Sequence, residues 1–391
     1  MEVKQIAQFV NDATAQALGR TEEGVSVALI KEDLSNVVDV GTAVFNAQKY
    51  TAYLEALINR IGRTIFVDRV YKGKAPKVLR DGWEYGSVMQ KISTDLPEAE
   101  ETESWELVNG ASYDPNVFTK DKVEAKFYNM KTTLTIKKSI TRMQLKQSFE
   151  SAGQLNSFIS MLYVWVENSM TVKMDELIMR TINNMIAGTI YADYQGASTA
   201  NASHARAVNL LYVYKQLNPS STLTATDCLY DVDFLRFVTG EIGKYVDRLQ
   251  SMSRIFNVGN KARFTPRDRL HVVLHTDLLK NADTYLNAVT FHEEFNKLPF
   301  GESVPYWQGT GGDYAFADTS KINVKDAEGH EVEQGGILAV MFDHEALGVL
   351  NEDARTTNDW NAVAEFWNEW HKKDASYFND FDENFVVFFI A

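Results

Sequence analysis

Residues 151–188, SAGQLNSFISMLYVWVENSMTVKMDELIMRTINNMIAG, are the stretch on which the reading of the fold turns. Leu155, Phe158, Ile159, Leu162, Trp165, Val166, Met170, Met174, Leu177, Ile178, Ile182, Met185 and Ile186 recur at steps of three and four. That spacing aligns one apolar face of an α-helix. No proline interrupts it. Ser148 or Ser151 can cap its start, and Gly188 can close its end in the left-handed conformation. About 36 residues rising 1.5 Å each make a rod of about 54 Å, where an average helix has three turns or so. Such a rod spans a flat domain, joins two others, or is simply a long core helix. Glu167, Lys173, Asp175, Glu176 and Arg180 fall inside it and exclude a membrane span.

The 391 residues around this helix suffice for two or three domains and a large core. The chain is 45% hydrophobic, with 7 Trp, 17 Tyr and 22 Phe to supply packing and subunit contacts. A formal net charge of −14 argues against a broad grip on nucleic acid, which needs clustered Lys and Arg. The single cysteine, Cys228, excludes an internal disulfide and fits a reducing compartment. The first residues, MEVKQIAQF, have no apolar signal core, and no apolar run approaches membrane length.

Ahead of the helix, Val3, Ile6, Ala7, Val10, Ala13 and Leu18 share a helical face, and a second helical pattern runs over 43–61. These helices form either an arm that packs on a neighbour or the first layer of a domain. From Ile65 the period changes. Residues 64–71, 83–92 and 126–140 are strand-like. Between the last two lies a polar segment, 93–122, too long for a hairpin turn. It holds an acidic cluster: Asp95, Glu98, Glu100, Glu101, Glu103 and Glu106. Lys72, Lys74, Lys77 and Arg80 precede it, and Lys131, Lys137 and Lys138 follow. The spacing predicts a long two-stranded ribbon with an acidic tip. That tip is either a solvated loop or an element that docks on a basic patch of another copy. Candidate contacts are Glu98, Glu100, Glu101 and Glu103 against Lys72, Lys74, Lys77, Lys137 and Lys138.

Beyond the long helix, the pattern predicts helices over 204–217, 226–246 and about 278–286, and strands over 270–274 and 337–342. Trp360, Phe366, Trp367 and Trp370 crowd 358–372, for core or interface packing or, less simply, to stack a ligand. The chain ends on Phe385-Val386-Val387-Phe388-Phe389-Ile390, a strand that must be buried on both faces, since an exposed apolar edge aggregates.

Signatures of catalysis are poor. There is no phosphate loop, dinucleotide fingerprint or hydrolase elbow. His292-Glu293-Glu294 begins like a zincin, but Asn296 stands where the second histidine belongs. His271 and His275 are four apart, which suits a metal on a helix, yet their surroundings read as a strand. Glu293/Glu294 and Asp380/Asp382 are compatible with glycosidase carboxylates, as acidic pairs in most acidic proteins are. Cys228 has no assignable base partner. No catalytic residue, cofactor site or metal site is assigned.

The order of helical arm, charged ribbon, long helix, mixed α/β region and apolar final strand resembles the major capsid proteins of tailed bacteriophages, with their HK97-like fold. The resemblance covers nearly the whole chain. Its most telling pieces are residues 131–150, KTTLTIKKSITRMQLKQSFE, and the tail with ILAVMFDHEALGVLNEDARTTNDW (337–360) and YFNDFDENFVVFFI (377–390). The tail looks most like those of small short-tailed phages. The resemblance implies an α+β protein with an N-terminal arm (1–63), an extended-loop ribbon and its flanks (64–140), a peripheral domain (141–222) with its spine helix, an axial domain (223–340), and closing strands (341–391) that return to the peripheral domain or the central sheet. It implies hexamers and pentamers in an icosahedral shell around double-stranded DNA, assembled in the host cytoplasm. It also implies a portal at one vertex, a procapsid that expands and a scaffold, here expected to be a separate protein. Two readings compete: an encapsulin-like compartment shell, and an acidic hydrolase or binding protein.

Overall fold

Phe385, Val386, Val387, Phe388 and Phe389 offer no polar side chain, so a strand made of them needs cover above and below. The computed structural model provides both. It describes residues 75–81, 89–94, 96, 106–113, 116, 120, 123–148, 152–196, 203–289, 302–308, 320–325 and 329–391, with the side chains of 81, 148, 152–165 and 286–289 excepted. The last strand, β13 (Phe385–Phe389), pairs antiparallel with β10 (Ile337–Asp343) and parallel with β5 (Ala207–Asn209). Strand β10 pairs antiparallel with β6 (Leu270–His275), which pairs parallel with β7 (Glu302–Val304). The sheet order is β5-β13-β10-β6-β7.

Alternation then sends the side chains of β13 to two cores. Phe385, Val387 and Phe389 join Val340 and Phe342 against the long helix α2 (Ala152–Ile190), through Ile178, Ile182 and Ile186. Val386 and Phe388 point the other way, with Met341 and Leu274. There they meet α3 (Leu210–Leu217), α4 (Val232–Gln250) and α5 (Thr276–Val289) through Leu211, Phe234, Val238, Ile242 and Leu278. A bulge between Ile337 and Ala339 lets Leu338 and Ala339 both face this second core.

Helix α2 also lies over a second sheet, ordered β1 (Leu79–Asp81), β11 (Leu347–Asn361), β12 (Phe366–Asn379), β4 (Lys131–Thr141). Strands β11 and β12 make one long hairpin of 15 and 14 residues, roughly 48 Å at 3.4 Å per residue. The Trp-rich stretch is its distal half, where Trp360 and Trp367 pair across the strands with ring centroids 4.2 Å apart. A two-stranded piece, β8 (Ile322–Lys325) with β9 (Glu331–Gln334), packs beside α2.

Several expectations need correction. Residues 126–140 are not one ribbon strand. They divide at Asn129–Met130, so that β3 (Val123–Tyr128) pairs with β2 (Met89–Thr94) while β4 leaves to edge β12. The cause is amphipathy: Leu134, Ile136 and Ile140 share one face of β4, which α2 covers. Ser148 is the last residue of a short helix, α1 (Arg142–Ser148), opened by a reciprocal capping box. In it Gln144 N–H donates to Thr141 Oγ1 (3.2 Å) and Thr141 N–H to Gln144 Oε1 (3.0 Å).

Gly188 does not end the long helix. The Phe381 ring lies where its Cβ would stand, 2.6 Å from Cε1. The helix continues to Ile190 and through a π turn, Tyr191–Gln195. Residues 204–217 begin with β5, and α3 starts only after Asn209 caps it. Residues 226–246 hold a 3-10 turn, Cys228–Tyr230, before Asp231 caps α4. The five-stranded sheet takes strands from both sides of the expected boundaries at 222/223 and 340/341, because strands are gathered by pairing and not by nearness in sequence. The arm helices, residues 64–71, the zincin-like His292 with Glu293 and Glu294, Glu98, Glu100, Glu101, Glu103, Lys72 and Lys74 lie outside the described residues.

Candidate functional site

The short ribbon β2–β3 presents two unlike faces. Its register sets Gln90 opposite Phe127, Lys91 opposite Lys126, Ile92 opposite Ala125 and Thr94 opposite Val123. Side chains alternate across a strand. One face therefore carries Gln90, Ile92, Thr94, Val123, Ala125 and Phe127, all exposed. Ile92, Val123 and Phe127 are 64%, 60% and 63% accessible, high for apolar residues that adjoin one another. The other face carries Met89, Lys91, Ser93, Lys126 and Tyr128, each at least partly covered, and an exposed Glu124.

Lys91 and Lys126 are directly opposite, an arrangement that repels unless an anion lies between them. Asp380, its side chain 2% exposed, is that anion. It accepts from Lys91 Nζ at 2.6 Å and from Lys126 Nζ at 2.7 Å. Lys91 also reaches Glu383 Oε1 (2.8 Å), and Lys126 reaches Asp382 Oδ2 (2.5 Å). Arg263 Nε donates to Glu383 (3.3 Å), and Lys261 pairs with Glu124 (2.8 Å). Burial alone would raise the Asp380 carboxyl, but the hydrogen bonds from Lys126 and Lys91 outweigh it and hold the group below the usual carboxylate range. Burial, then the Asp380 charge, pushes the Tyr128 phenol well above its ordinary value. Asp380 is thus held ionised between two lysines and is not a raised, proton-donating acid, while Asp382 pairs with Lys126.

These elements belong to a known kind of chain. Residues 10–389 match the model of the Phi29-like phage major capsid protein family. The chain belongs to that family. It is the major capsid protein of a tailed bacteriophage, with an α+β fold; it self-assembles into the capsid shell, and its place is the virion. Similar solved structures include the capsid of Staphylococcus phage Andhra, at 12% identity over 83% of this chain and 87% of that chain, with a TM-score of 0.47. The capsid of the cyanophage P-SCSP1u is 10% identical over 83% and 92%, with a TM-score of 0.45. The mature capsid of bacteriophage PhiM1 is 8% identical over 83% and 87%, with a TM-score of 0.43. No curated protein matches the sequence.

The capsid protein scatters the basic residues that the sequence grouped together. Lys137 and Lys138 are neighbours in a strand and so point to opposite faces of the sheet. Lys137 lies outside, 5.8 Å from the Trp370 ring centroid. Lys138 is inside and partly covered, opposite Glu369; burial lowers its pKa and the Glu369 charge works against that. Lys77 stands elsewhere, its backbone N–H donating to both carboxylate oxygens of Glu302 (3.1 and 3.0 Å). Sequence reasoning missed Lys91, Lys126, Arg263 and Glu383 as partners. The only signal available was the alternation around Lys91 and Lys126.

His271 and His275 do not form a metal pair. Four residues along a strand separate them by about 13 Å. His271 Nε2 instead meets His344 Nδ1 at 2.9 Å, and His275 lies by Trp307 in the core. Among the described residues no group of three or more His, Cys, Asp or Glu could hold a metal ion, and no helix is long and apolar enough to cross a membrane. Burial pushes the Cys228 thiol up to about 11, which keeps it unreactive.

Burial, with the charges of His344 and Arg80, pulls His271 down to about 4, and burial lowers His344 as well. The folded protein therefore refuses protons that the unfolded chain accepts near pH 6.5. Stability from this pair is complete above pH 6.5 and is lost as pH falls toward 4. The thermal midpoint of wild type should drop across that window more steeply than that of His271→Gln. Parallel curves would show that the pair does not titrate this way.

Proposed function

We propose that the chain forms hexamers and pentamers of an icosahedral shell enclosing double-stranded DNA, as a structural subunit and not as an enzyme. The observation that carries this reading is the exposed apolar face of the ribbon. Its reverse face is already engaged by its own chain, so Ile92, Val123 and Phe127 are turned outward and gain cover when a neighbouring subunit arrives. Burying each such side chain contributes roughly 1.5–3 kcal/mol. That suits a shell, where one modest contact is repeated around every capsomer.

In this assembly α2 and the four-stranded sheet form the peripheral domain. The five-stranded sheet and helices α3, α4 and α5 form the axial domain, and β2–β3 is the base of the extended loop. The arm at 1–63 overlaps a neighbour. A separate scaffold protein directs assembly, a portal occupies one vertex, and packaged DNA is touched without sequence preference. The net charge of −14 favours an interior from which DNA can slide.

The test is expression of the chain, alone and with a scaffold candidate, followed by negative-stain electron microscopy. Wild type should give closed shells or hexameric rings. Ile92→Glu with Phe127→Glu should keep the monomer folded and lower shell yield by about tenfold or more. Unchanged shells from the double variant would remove the ribbon from the interface, and a monomer in every wild-type sample would remove the assembly itself.

A further inference from the structure

We infer that an electrostatic latch seats the ribbon on its own subunit, and that the latch opens and closes without disturbing the fold beneath it. The contacts themselves point to this. Lys91 and Lys126 make five polar contacts to the neighbourhood of the last turn: to Asp380 twice, to Asp382, to Glu383 and to the Glu345 carbonyl (3.2 Å). Glu124 adds its pair with Lys261. Against these stands one aromatic contact, Tyr128 with Phe378 at 5.4 Å between centroids.

A seat made of charges behaves unlike one made of hydrocarbon. Lifting the ribbon returns lysines and carboxylates to water together, so regained hydration offsets much of the lost attraction, even for a pair as covered as Lys91 and Asp380. Separated apolar faces have no such compensation. Here the apolar side of the ribbon is already outside, so lifting the ribbon uncovers chiefly groups that water receives well.

The surface below is held without help from the ribbon. Asp380 N–H donates to Ala346 O (2.7 Å), Gly259 N–H to Phe381 O (3.0 Å) and Phe385 N–H to Phe256 O (2.9 Å). On the far side of the pivot, β4 is paired to β12 from Lys131 to Thr141, and Tyr377 N–H fixes Met130 O at 3.1 Å. That leaves Asn129 as the joint about which β3 turns. The device lets the ribbon change its angle while both sheets stay whole. It is internal to one chain, so it stands or falls separately from the proposed hexamers and pentamers.

Hydrogen–deuterium exchange on the full-length chain tests it. A free two-stranded ribbon is marginal in water, so an unseated one frays. Lys126→Gln leaves the covered Asp380 and Asp382 short of a counter-charge only while the ribbon is seated, so it should speed exchange at 89–94 and 123–128 by about tenfold, with 337–343 and 385–389 unchanged. In wild type, raising sodium chloride from about 0.05 M to about 1 M should act in the same direction. Lys244→Gln, which removes only the exposed pair with Glu241, should change neither region. Ribbon exchange that ignores both the Lys126 substitution and the salt would overturn the latch. So would exchange that rises equally in 385–389, since the pairs would then be holding the fold itself.

Discussion

Phe388→Ala should destabilise the folded subunit by about 3–5 kcal/mol, the range for emptying a large aromatic site in a packed core. Phe388 is fully buried, opposite Ala339 on one neighbouring strand and Val208 on the other. Its ring meets Tyr245 edge-on at 5.0 Å between centroids. Strand pairing on both sides and α4 above leave little room for the site to collapse, which puts the cost toward the upper end. A thermal midpoint lowered by roughly 5 °C is the expected result. The comparison is Phe127→Ala, the same chemical change on the outward face of the ribbon, which should stay within about 0.5 kcal/mol for the unassembled chain. Costs of similar size at both positions would contradict the two-sided burial of β13.

That contrast shows what the sequence could disclose. The buried strands 337–343 and 385–389 and the helix 152–190 stood out because their apolar residues are dense or strictly periodic. The β11–β12 hairpin did not, although it is the longest strand pair among the described residues. Its inward face runs Trp367, Glu369, His371, Lys373, Ala375, with three ionisable side chains in the middle. A search for apolar alternation finds nothing there. Glu369, His371 and Lys373 are buried all the same, on one face of a strand that packs against α2. The ribbon seat was hidden for another reason. Lys91 and Asp380 are 289 residues apart, and Lys126 and Asp380 are 254 apart. Only the return of the chain between β12 and β13 brings them together. The capsid reading could be reached earlier because it rested on the order of elements along the chain, which survives even when individual pairings are misread.

Asp193→Ala should be nearly as damaging, at about 3–5 kcal/mol, because it leaves a guanidinium in a covered site without its counter-charge. Asp193 lies in the π turn that follows α2, and Arg206 immediately precedes β5. Their side chains are 8% and 17% exposed. Arg206 Nε donates to Asp193 Oδ2 at 2.8 Å and Nη2 to Oδ1 at 2.5 Å, a planar two-point match that lysine could not reproduce. Nη1 also donates to the Asn257 carbonyl, and the Arg206 carbonyl accepts from Val387 N–H at 2.7 Å. One residue thus ties the end of the long helix, the loop at 257 and the last strand. Removing both charges tests whether the loss comes from the pair or from the charge left behind. Asp193→Leu with Arg206→Met should cost well under the sum of Asp193→Leu and Arg206→Met made singly, by about 1 kcal/mol or more of coupling in a urea-unfolding cycle. Additive losses would mean that the two groups act independently, and that the helix end is held to the sheet by its apolar contacts alone.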